Sequence, residues 1–529
     1  MKVYIGADIF FKKSEIPAGI LEQVRLHTTF ALKKDSRPSY LQKDEDETPK
    51  WCALGTRGAF YTLPRGALKA LQTSASNAGL KLDYVSYVTY NQTRPMVPLS
   101  AVGIKLRPYQ EELVAALVEQ RQGYVVLPCG GGKTKSGVAA ILHVNQASLI
   151  LVGSSDLLQQ WAATIEEVSG KKPRMIGAGK TDLSPLKAGE IAVAMVQTLS
   201  GHAEAEPFLD TVGAVLTDEC HHIAAEQWRW IIDRCPARWR WGLTATPERS
   251  DGYGFLLSML LGKELYRKTA KELVALGYLL RPTIIPVRSA WEAGPSVYRW
   301  NVRCEKCQRS SELGWKKWQE GKSTCGAKIA GKRCGAVLNA DCVGTKGALD
   351  WAVASTSLAE DPERQQLVSR LTGLAVLSGR QALVLVGRKS VLQPLSLKIE
   401  RSVDGVLVDA VDSSDSASER ELKIGRLRCG KSDVLIATTL ADEALDVPAL
   451  DAVILAQPGK DPGRTRQRAG RTTRPQGKPP VVFDIVDPTL QYQWKARKQA
   501  FIEEYGPECI GSQFPVDERK AAEILMGLG

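Results

Sequence analysis

No run in the 529 residues approaches the ~20 consecutive apolar positions of a membrane-spanning helix. The opening stretch MKVYIGADIFFKKSEIP also has no apolar segment leading to a small-residue cleavage site, so a cytosolic protein is expected. Repeats with a period of about 20 to 50 residues are missing, as are long low-complexity segments, which sets aside solenoids and arrays. Cysteine is scarce over most of the chain. Of eleven in all, Cys304, Cys307, Cys325, Cys334 and Cys342 crowd into one segment. In a reducing compartment such a cluster points to metal in preference to disulfides.

What is present is ordinary core material: 44% hydrophobic and 24% charged residues make extended disorder unexpected. The length exceeds what one core supports and implies three or four domains. Lys plus Arg exceed Asp plus Glu by 70 to 58, a net charge of +12, which favours a polyanionic partner.

From about residue 96 to 290, short apolar runs (YVVL, SLILVG, IAVAMV, VGAVLTDE, RWGLT) alternate with helical periodicity, as in LRPYQEELVAALVEQRQG, where Gly123 is the expected C-cap. A second series at 351–490 offers QALVLVG, DGVLVDAV, DVLIATT, DAVILAQ and PVVFDIVD as strands. Nearly continuous apolar strands between helices imply buried parallel sheets, hence an α/β chain with two such lobes. Residues 291–350 interrupt the pattern as an inserted small module. Residues 1–95 form a separate, basic, partly strand-like accessory region, expected to be either a DNA-binding domain or a structural cap on the first lobe, and 491–529 is expected to be a helical basic tail.

VVLPCGGGKT at 125–134 has the composition of a phosphate-binding loop. Gly130, Gly131 and Gly132 let the backbone curl round an anion, Lys133 can reach outer phosphates, and Thr134 can ligate magnesium. A plain glycine turn is the alternative, and Leu127 stands where the common pattern has glycine. Further on, VGAVLTDECHH ends an apolar strand in Asp218 and Glu219, a pair able to divide metal binding from proton acceptance.

PCGGGKT, DECH, LTATP and RTRQRAGRTTR occur in the order and spacing of superfamily 2 helicases. The stretch from DECHH to LTATPERSDG, with ATTLADEALDVPALDAVILAQP, resembles more narrowly the branch that contains the xeroderma pigmentosum B type repair helicase and phage recombination helicases. The resemblance covers about 104–290 and 350–488 and implies two RecA-like lobes using ATP and Mg²⁺. It assigns adenine recognition to Gln110 with Arg107 nearby, phosphate and magnesium to Lys133 and Thr134, magnesium to Asp218, and water activation to Glu219. Arg468 and Arg471, with Gln467 beside them, are implied arginine fingers. Thr244 and Thr246 resemble the motif coupling ATP state to grip, with His221 assisting and His222 only packing. Gln197, Thr198, Thr438 and Thr439 would contact strand backbone, and Arg249 with Asp251 resembles a strand-separating charged motif. For each threonine and for the charged pair, ordinary hydrogen bonding or a surface ion pair is an equal account.

In the inserted module, Cys304 and Cys307, a spacer of 17, Cys325, a spacer of 8, and Cys334 resemble a zinc ribbon. Cys342 is a possible substitute ligand. Trp300, Trp315 and Trp318 beside Lys316 and Lys317 suit either a nucleic-acid surface or a small core. The leading expectation is an ATP-driven DNA helicase or translocase. An RNA helicase, or an ATP-switched nucleic-acid scaffold that does not unwind, is the alternative. The segment ELK at 421–423 lacks the carboxylate pattern of a nuclease, so any DNA cutting would fall to a partner subunit in repair or defence.

Overall fold

A computed structural model describes residues 1–31, 50–247, 253–329, 332–340, 342–438, 450–457, 459–473 and 478–528. The chain divides into two compact units, Met1–Leu279 and Leu280–Gly529. Among the described residues no helix is long and apolar enough to cross a membrane.

In the first unit, seven parallel strands run in the order Arg174–Ile176, Ile191–Met195, Ser148–Val152, Ala214–Thr217, Trp239–Thr244, Gln122–Val126 and Glu264–Arg267. The central strands read as unbroken apolar runs because helices cover both faces, and all five residues of Ser148–Val152 are buried. The helix Pro108–Gln120 does not end at Gly123. Arg121 takes the left-handed cap (φ 62°), and Gly123 already lies within the next strand.

The accessory region is a five-stranded mixed sheet in the order Gly55–Arg57, Phe60–Pro64, Asp8–Lys12, Lys2–Ile5, Asp83–Ser86. Its lower end is fastened to the seven-stranded lobe by buried cations. Arg65 Nη1 donates to the Ala237 carbonyl at 2.5 Å, and Arg240 Nη2 donates to Ala7 and Cys235 carbonyls, each at 2.8 Å. Between them a Cβ on Gly66 would stand 1.9 Å from the Ser258 carbonyl, so only glycine permits this approach. The rings of Phe30 and Phe255 stack at 4.2 Å across the same junction.

The second unit holds six parallel strands in the order Thr283–Arg288, Val481–Val486, Ala452–Leu455, Ala382–Leu385, Val434–Ala437, Val408–Val411. Thr283–Arg288, which the sequence pattern grouped with the first lobe, therefore belongs to the second sheet. The cysteine-rich module leaves after this strand as a three-stranded antiparallel sheet with two small hairpins. The C-terminal segment is helical at Gln491–Tyr505 and Glu518–Met526 and puts Ala521 and Leu525 into the core of this unit. It is not basic: five Lys or Arg stand against six Asp or Glu in 491–529.

Candidate nucleotide and metal sites

The loop 127–132 joins the strand Gln122–Val126 to the helix Lys133–Val144. Gly130 (φ 76°) and Gly132 (φ 81°) adopt left-handed backbone. The helix N-terminus thus opens on a curled loop, and the N–H groups of its first turn and its dipole favour phosphate oxygens. Lys133 Nζ lies 3.4 Å from the Leu127 carbonyl oxygen and 3.8 Å from Glu219 Oε1. Thr134 occupies the first turn of the helix.

Gln110 is set against this loop by its own helix start. Its Oε1 accepts the Arg107 N–H at 2.9 Å, and its Nε2 approaches the Gly131 carbonyl at 3.4 Å. Tyr109 donates its hydroxyl to the same carbonyl at 2.9 Å. The Arg107 guanidinium sits 4.6 Å above the Tyr278 ring, which is 5.2 Å from that of Tyr109. Neither tyrosine was anticipated. Tyr109 adjoins Gln110 and was within reach of a closer reading, whereas nothing local in the sequence marks Tyr278.

Asp218 and Glu219 follow the strand Ala214–Thr217 at its carboxyl end. Asp218 is buried, with Oδ2 accepting the Trp161 Nε1–H at 2.7 Å and Oδ1 accepting the Glu219 N–H at 2.9 Å. Burial first, and then the Glu219 charge, push its carboxyl up to about 6. For Glu219 burial acts in the same sense but is outweighed by Lys133 and His221, which hold that carboxyl down to about 2. The two neighbouring carboxyls are therefore shifted in opposite directions. Glu219 also has φ 42°, a left-handed backbone rare outside glycine and common at functional sites.

From Glu219 a polar path continues. His221 Nδ1 stands 3.3 Å from Glu219 Oε2 and 3.1 Å from Thr244 Oγ1, which accepts the Thr246 N–H at 3.1 Å. Both threonines are buried. His222 packs, its ring 4.2 Å from His221 and 6.3 Å from Trp228. Gln197 Nε2 donates to the Gly153 carbonyl at 2.9 Å, and half-buried Thr198 shares its short helix Val196–Leu199.

In the second unit, Gln467 and Arg468 are buried on the helix Pro462–Ala469, and Arg471 is half-buried in the following turn Gly470–Thr472. Beneath them lies a buried ion pair that sequence reading missed: Arg497 Nη2 donates to Asp484 Oδ1 at 2.6 Å. Burial pushes the Asp484 carboxyl up against the pull of Arg497. Thr438 follows the strand Val434–Ala437. Thr439, Arg249 and Asp251 lie outside the described residues.

The module's cysteines converge. The four sulfurs of Cys304, Cys307, Cys325 and Cys334 all lie within 4.8 Å of one another, with Cys304 to Cys334 at 3.8 Å and Cys307 to Cys325 at 3.5 Å. Tetrahedral zinc with bonds of about 2.3 Å sets its sulfurs roughly 3.8 Å apart, so donor type and spacing both fit. The Cys307 N–H, foremost, draws the Cys304 thiol down to about 7, towards the thiolate a metal requires. Cys342 is not among the four; its Sγ lies 3.6 Å from Asn339 Oδ1. Trp300, Trp315 and Trp318 pack on one another at 5.0 to 5.5 Å and against the cysteine cluster, which makes them the module's core.

Comparison with known proteins bears on both units. Residues 103–249 match the family described as the type III restriction enzyme res subunit, and 364–476 match the helicase conserved C-terminal domain. The chain is 26% identical to the DNA 3'-5' translocase XPB2 of Sulfurisphaera tokodaii over 414 residues, covering 76% of this chain and 86% of that one. It is 30% identical over 208 residues to the XPB subunit of the general transcription and DNA repair factor IIH of Danio rerio, covering 37% of this chain and 26% of the relative. A probable helicase of Escherichia phage T5 is 22% identical, over 68% and 66% of the two chains. Among solved structures, S. cerevisiae Dbp5 bound to RNA and ADP BeF3 superposes with a TM-score of 0.53 at 15% identity, covering 82% of this chain and 97% of that one. This last likeness is one of fold: two RecA-like lobes.

Proposed function

We infer that this chain, a superfamily 2 nucleic-acid-dependent ATPase with two RecA-like lobes, is an ATP-dependent DNA helicase or translocase of the XPB-like kind. The observation that supports the reading most is the continuous path Lys133, Glu219, His221, Thr244, Thr246, which starts at the phosphate loop and ends in the segment that the family uses for coupling.

Each residue has a role in this reading. Lys133 and the loop N–H groups hold the outer phosphates, and Gln110, placed by Arg107, meets the adenine. Glu219, whose charged form Lys133 and His221 favour, accepts the proton of the attacking water. His221 passes the state of Glu219 to Thr244 and Thr246. Thr134 and Asp218 would hold Mg²⁺, which neutralises phosphate charge and aligns the reacting phosphoryl group. The buried carboxyl of Asp218, whose charged form burial disfavours, is suited to a cation as partner. Arg468 and Arg471 supply positive charge to the transition state, with Gln467 beside them, and Gln197, Thr198, Thr438 and Thr439 serve the strand backbone. The four cysteines hold a structural zinc.

ATP hydrolysis measured side by side with single-stranded DNA, duplex DNA and RNA, together with an unwinding assay, tests this reading. DNA should stimulate turnover. Stimulation by RNA alone, or by no nucleic acid, overturns it.

A further inference from the structure

After the strand Glu264–Arg267 the chain makes a short helix, Ala270–Ala275, started by Thr269, whose hydroxyl accepts the Glu272 N–H at 3.2 Å. The turn that follows is closed by the Tyr278 N–H, which donates to the Leu273 carbonyl at 2.8 Å. Leu273 and Tyr278 are thereby held together, and each meets a different part of the nucleotide site. A Cβ built on Gly131 would stand 3.4 Å from Leu273 Cδ1, so Leu273 packs on the phosphate loop. The Tyr278 ring lies 4.6 Å under the Arg107 guanidinium and 5.2 Å from the Tyr109 ring.

Arg107 in turn orients the group that meets the base. Its N–H donates to Gln110 Oε1 at 2.9 Å, which fixes the end of that amide where the oxygen sits. Turned over, the amide would set two donors face to face. In the fixed sense Nε2 has hydrogen to donate and Oε1 has a second lone pair, the pairing that adenine answers with N7 and its 6-amino group. Guanine carries an oxygen in place of that amino group, so two acceptors would meet. The Arg107 guanidinium also donates to the Tyr109 hydroxyl at 3.4 Å, and that hydroxyl donates to the Gly131 carbonyl at 2.9 Å. Arg107 therefore stands between the base reader and the phosphate loop. Holding so long a side chain in one place costs conformational entropy, and the face of the Tyr278 ring supplies an attraction that offsets it.

We propose that Tyr278 is a positioning residue for the nucleotide: it holds Arg107, and with it the Gln110 amide, in register with the base and so sets a preference for adenine over guanine. The proposal rests on the reading of Arg107, Gln110 and Lys133 as an ATP site. It adds a residue from beyond 103–249, where the family match over this lobe ends. Tyr278 acts on the base through Arg107, and Leu273 keeps the same turn seated on the phosphate loop.

The test titrates the full chain, without nucleic acid, with N-methylanthraniloyl derivatives of ATP and GTP. Tyr278→Ala should raise the Kd for ATP about threefold to thirtyfold, the span of one cation–π contact, and leave that for GTP within about twofold. Tyr278→Leu fills the space without offering a ring face and should show the same loss with an unchanged melting temperature. Tyr278→Phe keeps the ring and should restore the ATP value. Arg107→Ala should lose the same preference, and adding Tyr278→Leu to it should cost nothing more, because the two side chains act as one. A role in folding alone would weaken both nucleotides alike. Equal losses for ATP and GTP, an unchanged ATP affinity in Tyr278→Leu, or additive losses in the double variant overturn the proposal. Equal affinity of the unsubstituted protein for the two nucleotides overturns it as well. Adenine preference that disappears in Tyr278→Leu, in a protein whose hydrolysis no nucleic acid stimulates, sustains it and overturns the motor reading.

Discussion

Lys133 and Glu219 face each other at 3.8 Å, and the proposed function gives them different work. Lys133→Ala removes a phosphate contact and should abolish both tight ATP binding and turnover. Glu219→Gln keeps the shape of the site and loses only the proton acceptor, so turnover should fall by about 10² to 10⁴ while ATP remains bound. Nucleotide binding and steady-state hydrolysis, measured on both variants, separate the two roles; near-normal hydrolysis in either removes the assignment. Arg471→Ala should behave like the second variant, with strand-stimulated turnover down by about 10³ or more and ATP affinity within a few-fold, since such an arginine acts on transition-state charge. Equal losses of affinity and rate would mean that it supports the ground state or the fold. At this scale the sequence was most legible where chemistry is carried by contiguous residues. Gly130 to Thr134 and the pair Asp218 and Glu219 are read directly because loop and strand end are local structures. Trp161 on Asp218, Tyr278 under Arg107, and Arg497 on Asp484 were not readable, because each partner arrives from a distant element and nothing near it in sequence records the contact.

Among elements, the cysteine module and the accessory sheet make separate demands. Purified protein should contain about one zinc per chain. Cys304→Ser with Cys307→Ser should release it and loosen the module, whose small core offers little else, while ATP binding at Lys133 persists. Metal content by mass spectrometry decides the matter, and full zinc in the double variant defeats the ligand set.

At the foot of the accessory sheet, Asp8 Oδ1 is buried and has no hydrogen-bond partner among the described residues. Burial foremost, with Asp233 adding to it and Arg240 opposing, lifts its carboxyl from 3.8 to about 7. The folded state therefore keeps this proton over a range where the unfolded chain has lost it. Stability from this group is present at low pH and declines as pH rises from about 4 to about 7. Asp8→Asn should remove that part of the slope and raise the melting temperature at pH 8 relative to the unsubstituted protein. Parallel melting curves for the two proteins across pH 5 to 8 would contradict it. Strands of this sheet were only partly legible because they are three to five residues long and mix parallel with antiparallel neighbours. In the lobes, by contrast, runs such as Val481–Val486 are buried throughout and announce themselves.

At the scale of the whole molecule, alternation revealed two α/β lobes but not where one ends. Thr283–Arg288 is an apolar run like the others, and a run does not say which sheet it will join; its parallel pairing with Val481–Val486 decides that. This strand also fixes the standing of the cysteine module, which departs after it and returns before the helix Trp351–Glu360. The departing and returning chains meet: the Asp350 N–H donates to the Val297 carbonyl at 2.8 Å, and Tyr298 pairs with Leu349. A loop whose two ends already touch is a cassette, spliced into the second lobe without interrupting its sheet. Excising 298–349 and closing Val297 to Asp350 through a short glycine turn should leave a protein that melts cooperatively and binds ATP, but carries no zinc. Collapse of folding on excision would show that the graft has become a structural member. If the excised protein folds, the metal module is an interchangeable head, and others with ends equally close can be fitted in its place to redirect the same motor.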